Sequence, residues 1–444
     1  MRPGRLSLPA VAFAAYVAST LLMVPRGSLL PAVLAGKGQP ADLVFLAGLA
    51  VWLLAGAPGL ARIAAPAGRP AAVWVGANVL VASVAPWPGP AWRETAAFVY
   101  LALVLIWGAA VLGDPGRLAR FLRWWVVLVA AVVGLGLAGW VFAAHAGAAN
   151  YLVEFREGLP VLGDRLRVRA TLQPTSRLLA TLLIVALPAV VSLARRGGPW
   201  TRRGCLALLA AMTVCEVLTW ARPLLEYLAV LGVLGVLEVG RRRRPLLAGV
   251  AVLYVVGLLL TIAVSTWQVT AYDVTWGADR SRTVRHPFYA SMPDTGVESL
   301  VLRVEWVHNL YFVLKRIAVH AFLARPLAGW GQDAWPHIQA WAGEMGYAPR
   351  AERWESAHGE PFTVAAEMGV IGLVAFGAFW ALTLRAMWPG ARPGFAAGLA
   401  RGQTVASAGV LLASLHLDLM RFRFLWIALA LGVAAARCAK EEPA

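Results

Sequence analysis

The residues able to do chemistry in this chain are concentrated between Thr266 and Pro361. Five of the seven histidines lie there: His286, His308, His320, His337 and His358. So do Arg280, Arg282, Arg285, Arg303, Lys315, Arg316, Arg325 and Arg350, interleaved with seven tryptophans from Trp267 to Trp354. An imidazole titrates near neutral pH and can take up or return a proton. A guanidinium carries a permanent charge on a fork of donors that matches phosphate or carboxylate. The segment therefore holds the groups for acid–base work on a hydroxyl and for gripping an anion. Outside it such groups are sparse. Glu216, Arg222 and Glu226 surround one tight turn in otherwise apolar sequence, where charges are paired or functional. Arg222 is either an i,i+4 partner of Glu226 or a cation at the mouth of a cavity, ready for an anionic ligand. Glu367, nine residues after His358, either is satisfied by a neighbouring helix or orients the site.

The elements that must position these groups are membrane helices. Hydrophobic residues make up 60% of the 444 positions and charged residues 14%, with a mean hydropathy of +0.68. A soluble domain has about 45–50% apolar and about 25% charged residues. Apolar runs of about 20 residues, the length a hydrocarbon core requires, fall near Leu6–Val24, Asp42–Leu60, Ala71–Ala85, Thr95–Leu112, Leu122–Ala144, Ser176–Leu193, Gly204–Trp220, Pro223–Val239 and Pro245–Ser265. Three more follow the polar segment, at Phe362–Trp380, Gly402–Leu417 and Phe422–Ala436. The expected fold is an all-α polytopic membrane protein of about twelve transmembrane helices. Residues 1–265 carry helices one to nine, residues 266–361 form one large periplasmic loop containing amphipathic helices, and residues 362–444 carry helices ten to twelve. Basic residues collect in alternate short loops, at Arg117/Arg120/Arg123, Arg195/Arg196/Arg202/Arg203 and Arg241–Arg244. By the positive-inside rule both termini are cytoplasmic and the large loop is outside.

The same composition excludes other classes. A β-barrel would show short alternating segments. The formal charge of +17 reflects topology and attraction to anionic membrane lipids; with no soluble basic module carrying stacking aromatics, no nucleic-acid partner is expected. Cys205, Cys215 and Cys438 make no disulfide framework. Arg2 and Arg5 before an apolar stretch resemble a signal peptide, but without a small-residue cleavage site the segment reads as a retained first helix. A transporter or flippase would share the helices and buried charges, yet it predicts repeat symmetry between halves, which the single large loop argues against.

Within the loop, Val304, Val307, Tyr311, Leu314, Ala318 and Ala321 recur at three- and four-residue steps. That spacing predicts an amphipathic helix over Ser299–Leu323 lying at the membrane surface, with Arg303 on it. Pro326 and the turn Gly329-Trp330-Gly331 end it.

Several short motifs resemble the O-antigen ligase and polymerase superfamily. They are Arg-Pro-Leu-Ala-Gly-Trp-Gly (Arg325–Gly331), Ala357-His358-Gly-Glu-Pro-Phe leading to Glu367-Met-Gly-Val-Ile-Gly, Leu218-Thr-Trp-Ala-Arg222-Pro, and Arg169 in Arg-Val-Arg-Ala-Thr-Leu. Gly359 stands where the family has Asn, and Ala221 where it has Ser. The resemblance implies an enzyme of the bacterial inner membrane that moves a glycan from undecaprenyl pyrophosphate, on the periplasmic side. The ligase branch delivers it to lipid A–core oligosaccharide; the polymerase branch, or a protein O-oligosaccharyltransferase, uses the same donor with another acceptor. On this reading His358 is the base that takes the acceptor hydroxyl's proton, with a metal-independent inverting displacement and no cofactor. Arg222, Arg303, Arg169 and Arg285 are the candidates for the pyrophosphate, and Glu367, Gly329 and Gly331 support the site.

Overall fold

The computed structural model of the chain describes residues 7–22, 40–147, 149–159, 163–172, 175–237, 243–273, 283–284, 300–306, 310–345, 356–390 and 392–442. Each of the twelve apolar stretches holds a helix: α1 (Leu8–Leu21), α2 (Pro40–Leu54), α4 (Gly68–Val84), α5 (Pro88–Leu112), α6 (Pro115–Ala146), α7 (Ser176–Arg196), α8 (Pro199–Thr219), α9 (Leu224–Val236), α10 (Arg243–Thr266), α13 (Glu360–Met387), α14 (Phe395–Ala413) and α15 (Arg423–Glu441). A single turn, α3 (Leu60–Ile63), lies between α2 and α4, and α11 (Leu310–Ala324) and α12 (Trp335–Glu344) lie in the polar segment. Four of these helices, α5, α6, α7 and α13, are long and apolar enough to cross a membrane by length and composition. The protein is a helical membrane protein.

Helix starts follow local chemistry. Prolines occupy the first turns of α1, α5, α6, α8 and α13, where their missing N–H has no intrahelical partner to lose. Asp114 caps α6 by accepting the Arg117 N–H at 2.9 Å. The centre of the bundle is α15, whose residues from Phe424 to Ala436 are all buried. A helix apolar on every side belongs in such a position. By contrast α10 exposes Leu253, Val255, Val256, Leu259 and Leu260, a face suited to lipid.

The polar segment departs from the expected helix. Leu300–Trp306 is strand β5, antiparallel to β3 (Trp267–Asp273), with Arg303 opposite Thr270 and the two-residue β4 (Thr283–Val284) on the other side of β3. The described helix α11 runs from Leu310 to Ala324. The strand follows from a period of two: Leu302, Val304 and Trp306 alternate with Val301, Arg303 and Glu305, and β-branched residues prefer a pleated surface. Val304 fitted the helical spacing by coincidence. A second hairpin, β1 (Val153–Leu159) with β2 (Gly163–Val168), was not foreseen either.

The most consequential packing joins the Arg325–Gly331 turn to α13. Gly369 interrupts α13 at φ 63° and ψ −154°, which leaves helical groups unpaired in an apolar setting. The turn satisfies them: the N–H groups of Trp330 and Gly331 donate to the carbonyls of Ala366 and Glu367 at 3.1 and 2.8 Å. In return Val370 and Ile371 donate to the carbonyls of Pro326 and Leu327 at 2.8 and 3.2 Å. A broken helix is tolerated inside a membrane only with such replacement bonds. Gly329 makes the approach possible. It sits at φ 65°, and a Cβ there would collide with the Glu367 backbone. Gly329→Ala should therefore destabilise the fold by roughly 1–3 kcal/mol from the left-handed backbone alone, with the clash in addition. The expected readout is a lower unfolding temperature of the purified protein, and an unchanged temperature would contradict this role for the turn.

Candidate active site

His358 lies between the polar segment and α13, and three sets of contacts fix it. Its backbone is left-handed, φ 52°, a conformation that persists in a non-glycine only under constraint. On one side its N–H donates to Ser356 Oγ at 3.2 Å, and the Ser356 hydroxyl donates to Asp418. The other oxygen of Asp418 accepts from Thr363 Oγ1 at 2.8 Å, so one carboxylate clamps both flanks of the histidine. On another side Lys315 of α11 donates to the His358 carbonyl at 3.0 Å, its ammonium 5.4 Å from the centre of the Phe362 ring. The third is apolar. Ala357 is fully buried in a small core with Leu314, Ile317, Trp330, Trp335 and Ile338, separate from the main bundle core.

Glu360 and Gly359 tie this corner to the turn between α14 and α15. Glu360 Oε2 accepts the N–H groups of Leu419 and Met420 at 2.6 and 3.1 Å. The Glu360 N–H donates to the carbonyls of Ser414 and Leu417 at 2.8 and 3.1 Å. A Cβ at Gly359 would lie 2.7 Å from the Leu415 carbonyl oxygen. The glycine that replaces the family's Asn therefore has a local reason, the close passage of the α14–α15 turn.

The electrostatics favour a neutral imidazole. The pKa of His358 is pushed down to about 4, first by burial and then by the positive charge of Arg177, with Lys315 and Arg222 adding to the push. Asp418 works in the opposite direction. The charges acting on His358 are thus three cations against one carboxylate, electropositive surroundings taken together. Such surroundings attract an anion and keep a base unprotonated at neutral pH.

Of the arginines singled out from the sequence, Arg222 lies near enough for its charge to act on His358. It occupies the turn between α8 and α9, stiffened by a left-handed Trp220 at φ 48° whose carbonyl accepts from Arg167 at 2.8 Å. The carboxylate of Glu226 faces elsewhere: it accepts from Tyr254 at 2.9 Å and meets His416 Nε2 at 3.1 Å. Arg169 donates to the carbonyls of Tyr151 and Asn150 at 3.1 and 3.4 Å, which braces the stem of the β1–β2 hairpin. Arg303 lies on β5, and Arg285 lies outside the described residues.

Glu367 is buried on α13. It lines a cavity of about 40 Å³ with Glu94, Gln332, Glu360, Asp418 and Arg421, a volume that suits water rather than a sugar. Arg421 holds Glu94 at 2.6 Å and approaches Asp333 at 3.7 Å. Glu367 thus supports the corner from beneath, as Gly329 does through its contact with the Glu367 backbone and Gly331 through its bond to the Glu367 carbonyl. Of the other histidines, His337 stacks flat on Trp87 at 4.0 Å, a packing role.

Sequence reasoning missed Arg177 and Asp418 and gave Lys315 no role. Arg177 sits in the first turn of α7, the end opposite Arg195 and Arg196; a cation at the start of an apolar run was the available signal. Asp418 is bonded to Ser356 and Thr363 across 62 and 55 residues, a pairing that no spacing rule reveals. No protein-family model matches the chain, and comparison with curated proteins gives no match.

Proposed function

We propose that this chain is a glycosyltransferase of the bacterial inner membrane that transfers a glycan from a polyprenyl pyrophosphate carrier, most simply an O-antigen ligase with lipid A–core oligosaccharide as acceptor. On this reading the twelve helices all span, both termini are cytoplasmic, and His358 faces the periplasm. One observation carries it: His358 is fixed between Lys315, which donates to its carbonyl at 3.0 Å, and the Ser356–Asp418 pair, within reach of the charges of Arg177 and Arg222. A base beside cations is the pairing a sugar–pyrophosphate displacement needs. His358 takes the proton of the acceptor hydroxyl as its oxygen forms a bond to the anomeric carbon. The bond from that carbon to the phosphate oxygen breaks, and the electron pair leaves with the lipid pyrophosphate. Cations aimed at the departing phosphate stabilise the growing charge, by about 3–4 kcal/mol per donor in a dry site. The pyrophosphate leaving group supplies the driving force. Direct attack inverts the anomeric centre.

The branch is decided by the lipopolysaccharide of a deletion strain. A ligase predicts loss of long-chain bands with lipid-linked polymer accumulating. Bands reduced to a single repeat would make the enzyme a polymerase, and an unchanged profile would contradict both.

A further inference from the structure

A second basic cluster lies at the other end of α7 from Arg177. Arg195 and Arg196 close α7, Arg202 opens α8, and Arg401 faces them from α14. Together they line a cavity of about 720 Å³. Three of the four are held in place. Arg195 donates to the Leu234 carbonyl at 3.1 Å, Arg401 donates to the carbonyls of Arg392 and Gly390 at 2.8 and 3.4 Å, and Arg196 lies 5.6 Å from the centre of the Phe395 ring. Pre-positioned side chains lose less freedom on meeting a ligand. Among the described residues no carboxylate lines the cavity; Glu442 accepts the first-turn N–H of Ala396 at 3.4 Å beside it.

Beside Ser192 and two glycines, the remaining lining side chains are apolar. Val191, Leu206 and Leu209 continue the wall, with Leu206 half exposed on the outer face of α8. At the start of the same helix Trp200 is 81% exposed, with Arg203 over its ring at 5.5 Å. Tryptophan and arginine at a helix end mark the membrane–water boundary. The ligand that fits is therefore amphiphilic, with phosphate at the arginines and acyl chains along α8.

We propose that this cavity binds an anionic phospholipid with two phosphates, of the cardiolipin type, at the membrane surface by the Arg195–Arg196 end of α7. Four guanidinium groups can serve two phosphodiesters as bidentate donors, and basic pockets between membrane helices are suited to such headgroups. The binding is independent of the transfer reaction, so the test reads lipid and not turnover.

The purified full chain, delipidated in neutral detergent, would be titrated with cardiolipin, phosphatidylglycerol, phosphatidylcholine or inorganic phosphate. Native mass spectrometry would report the bound lipid and a melting curve the stabilisation. Cardiolipin should bind one per chain and raise the melting temperature. Phosphatidylglycerol should bind more weakly at equal phosphate, and phosphatidylcholine and inorganic phosphate should do little. Arg196→Gln with Arg202→Gln, two exposed positions whose loss should leave folding intact, should weaken cardiolipin binding roughly 30-fold at about 5-fold per arginine. The matched pair Arg120→Gln with Arg123→Gln should leave it unchanged. Equal cardiolipin affinity in the Arg196/Arg202 double variant and the wild type would overturn the assignment. So would stabilisation by inorganic phosphate as strong as by cardiolipin, which would make this a soluble-anion site.

Discussion

His358→Gln and His358→Ala should each lose about 10²- to 10⁴-fold in turnover while still binding the lipid-linked donor. The loss follows from the role assigned to the imidazole: without it no group at that position accepts the acceptor's proton. The donor is gripped by different side chains, so its binding survives. The pH profile gives an independent check. A general base works when neutral, so the rate falls as pH drops through its pKa, and in the empty site that value is about 4. The profile of kcat/KM, which reports the free enzyme, should therefore be flat from pH 9 down to about 5 and decline only below that. A bound pyrophosphate offsets the charge of Arg177, Lys315 and Arg222, so the acid limb of kcat should lie at higher pH. Coincident limbs near the ordinary histidine value of 6.5 would remove the electropositive surroundings from the mechanism. A Gln variant at wild-type rate would remove the base itself.

The second large effect concerns the cations. Arg222→Ala and Arg177→Ala should each lower turnover by about 10²- to 10³-fold, and the Lys variants should recover little, because a point charge does not reproduce a two-pronged grip on phosphate. Both substitutions carry a signature that general disruption would not. Each removes a charge that holds the His358 pKa down, so the acid limb of kcat/KM should move to higher pH in each variant. Full activity of Arg222→Lys would show that fork geometry is dispensable. A lowered rate with an unmoved limb would separate the arginines from His358. Arg169→Gln is expected to behave differently: its guanidinium braces the Tyr151 and Asn150 carbonyls, so melting temperature should fall more than turnover.

The bundle was readable from sequence because hydrocarbon-length apolar runs leave little room for another structure, and every predicted stretch holds a helix. The polar segment was harder. Leu300–Trp306 satisfies a strand period and, through Val304, the start of a helical one; pairing with Trp267–Asp273 decides the matter, and that partner lies 33 residues away across the register from Thr270 to Arg303. The candidate site divides the same way. His358 and Arg222 could be found because each stands at the end of an apolar run, where an ionisable group is conspicuous. Arg177 shares that position but reads as the start of a span. Glu360 stands two residues from His358 in sequence, yet it is consumed by the N–H groups of Leu419 and Met420, and the carboxylate that acts on His358 is Asp418. Glycine roles were legible as turns but not as partners: only the structure joins Gly329 and Gly331 to the broken helix at Gly369.

The central claim is transfer from a lipid pyrophosphate by one direct displacement beside His358, and reconstitution measures it most directly. The purified wild-type protein in lipid would receive a defined polyprenyl-pyrophosphate-linked glycan of known anomeric configuration together with acceptor, and the released carrier and the new linkage would be followed together. The account predicts one polyprenyl pyrophosphate freed for each bond formed, with the anomeric configuration inverted in the product. A product of retained configuration, or no carrier released with any acceptor offered, would contradict it.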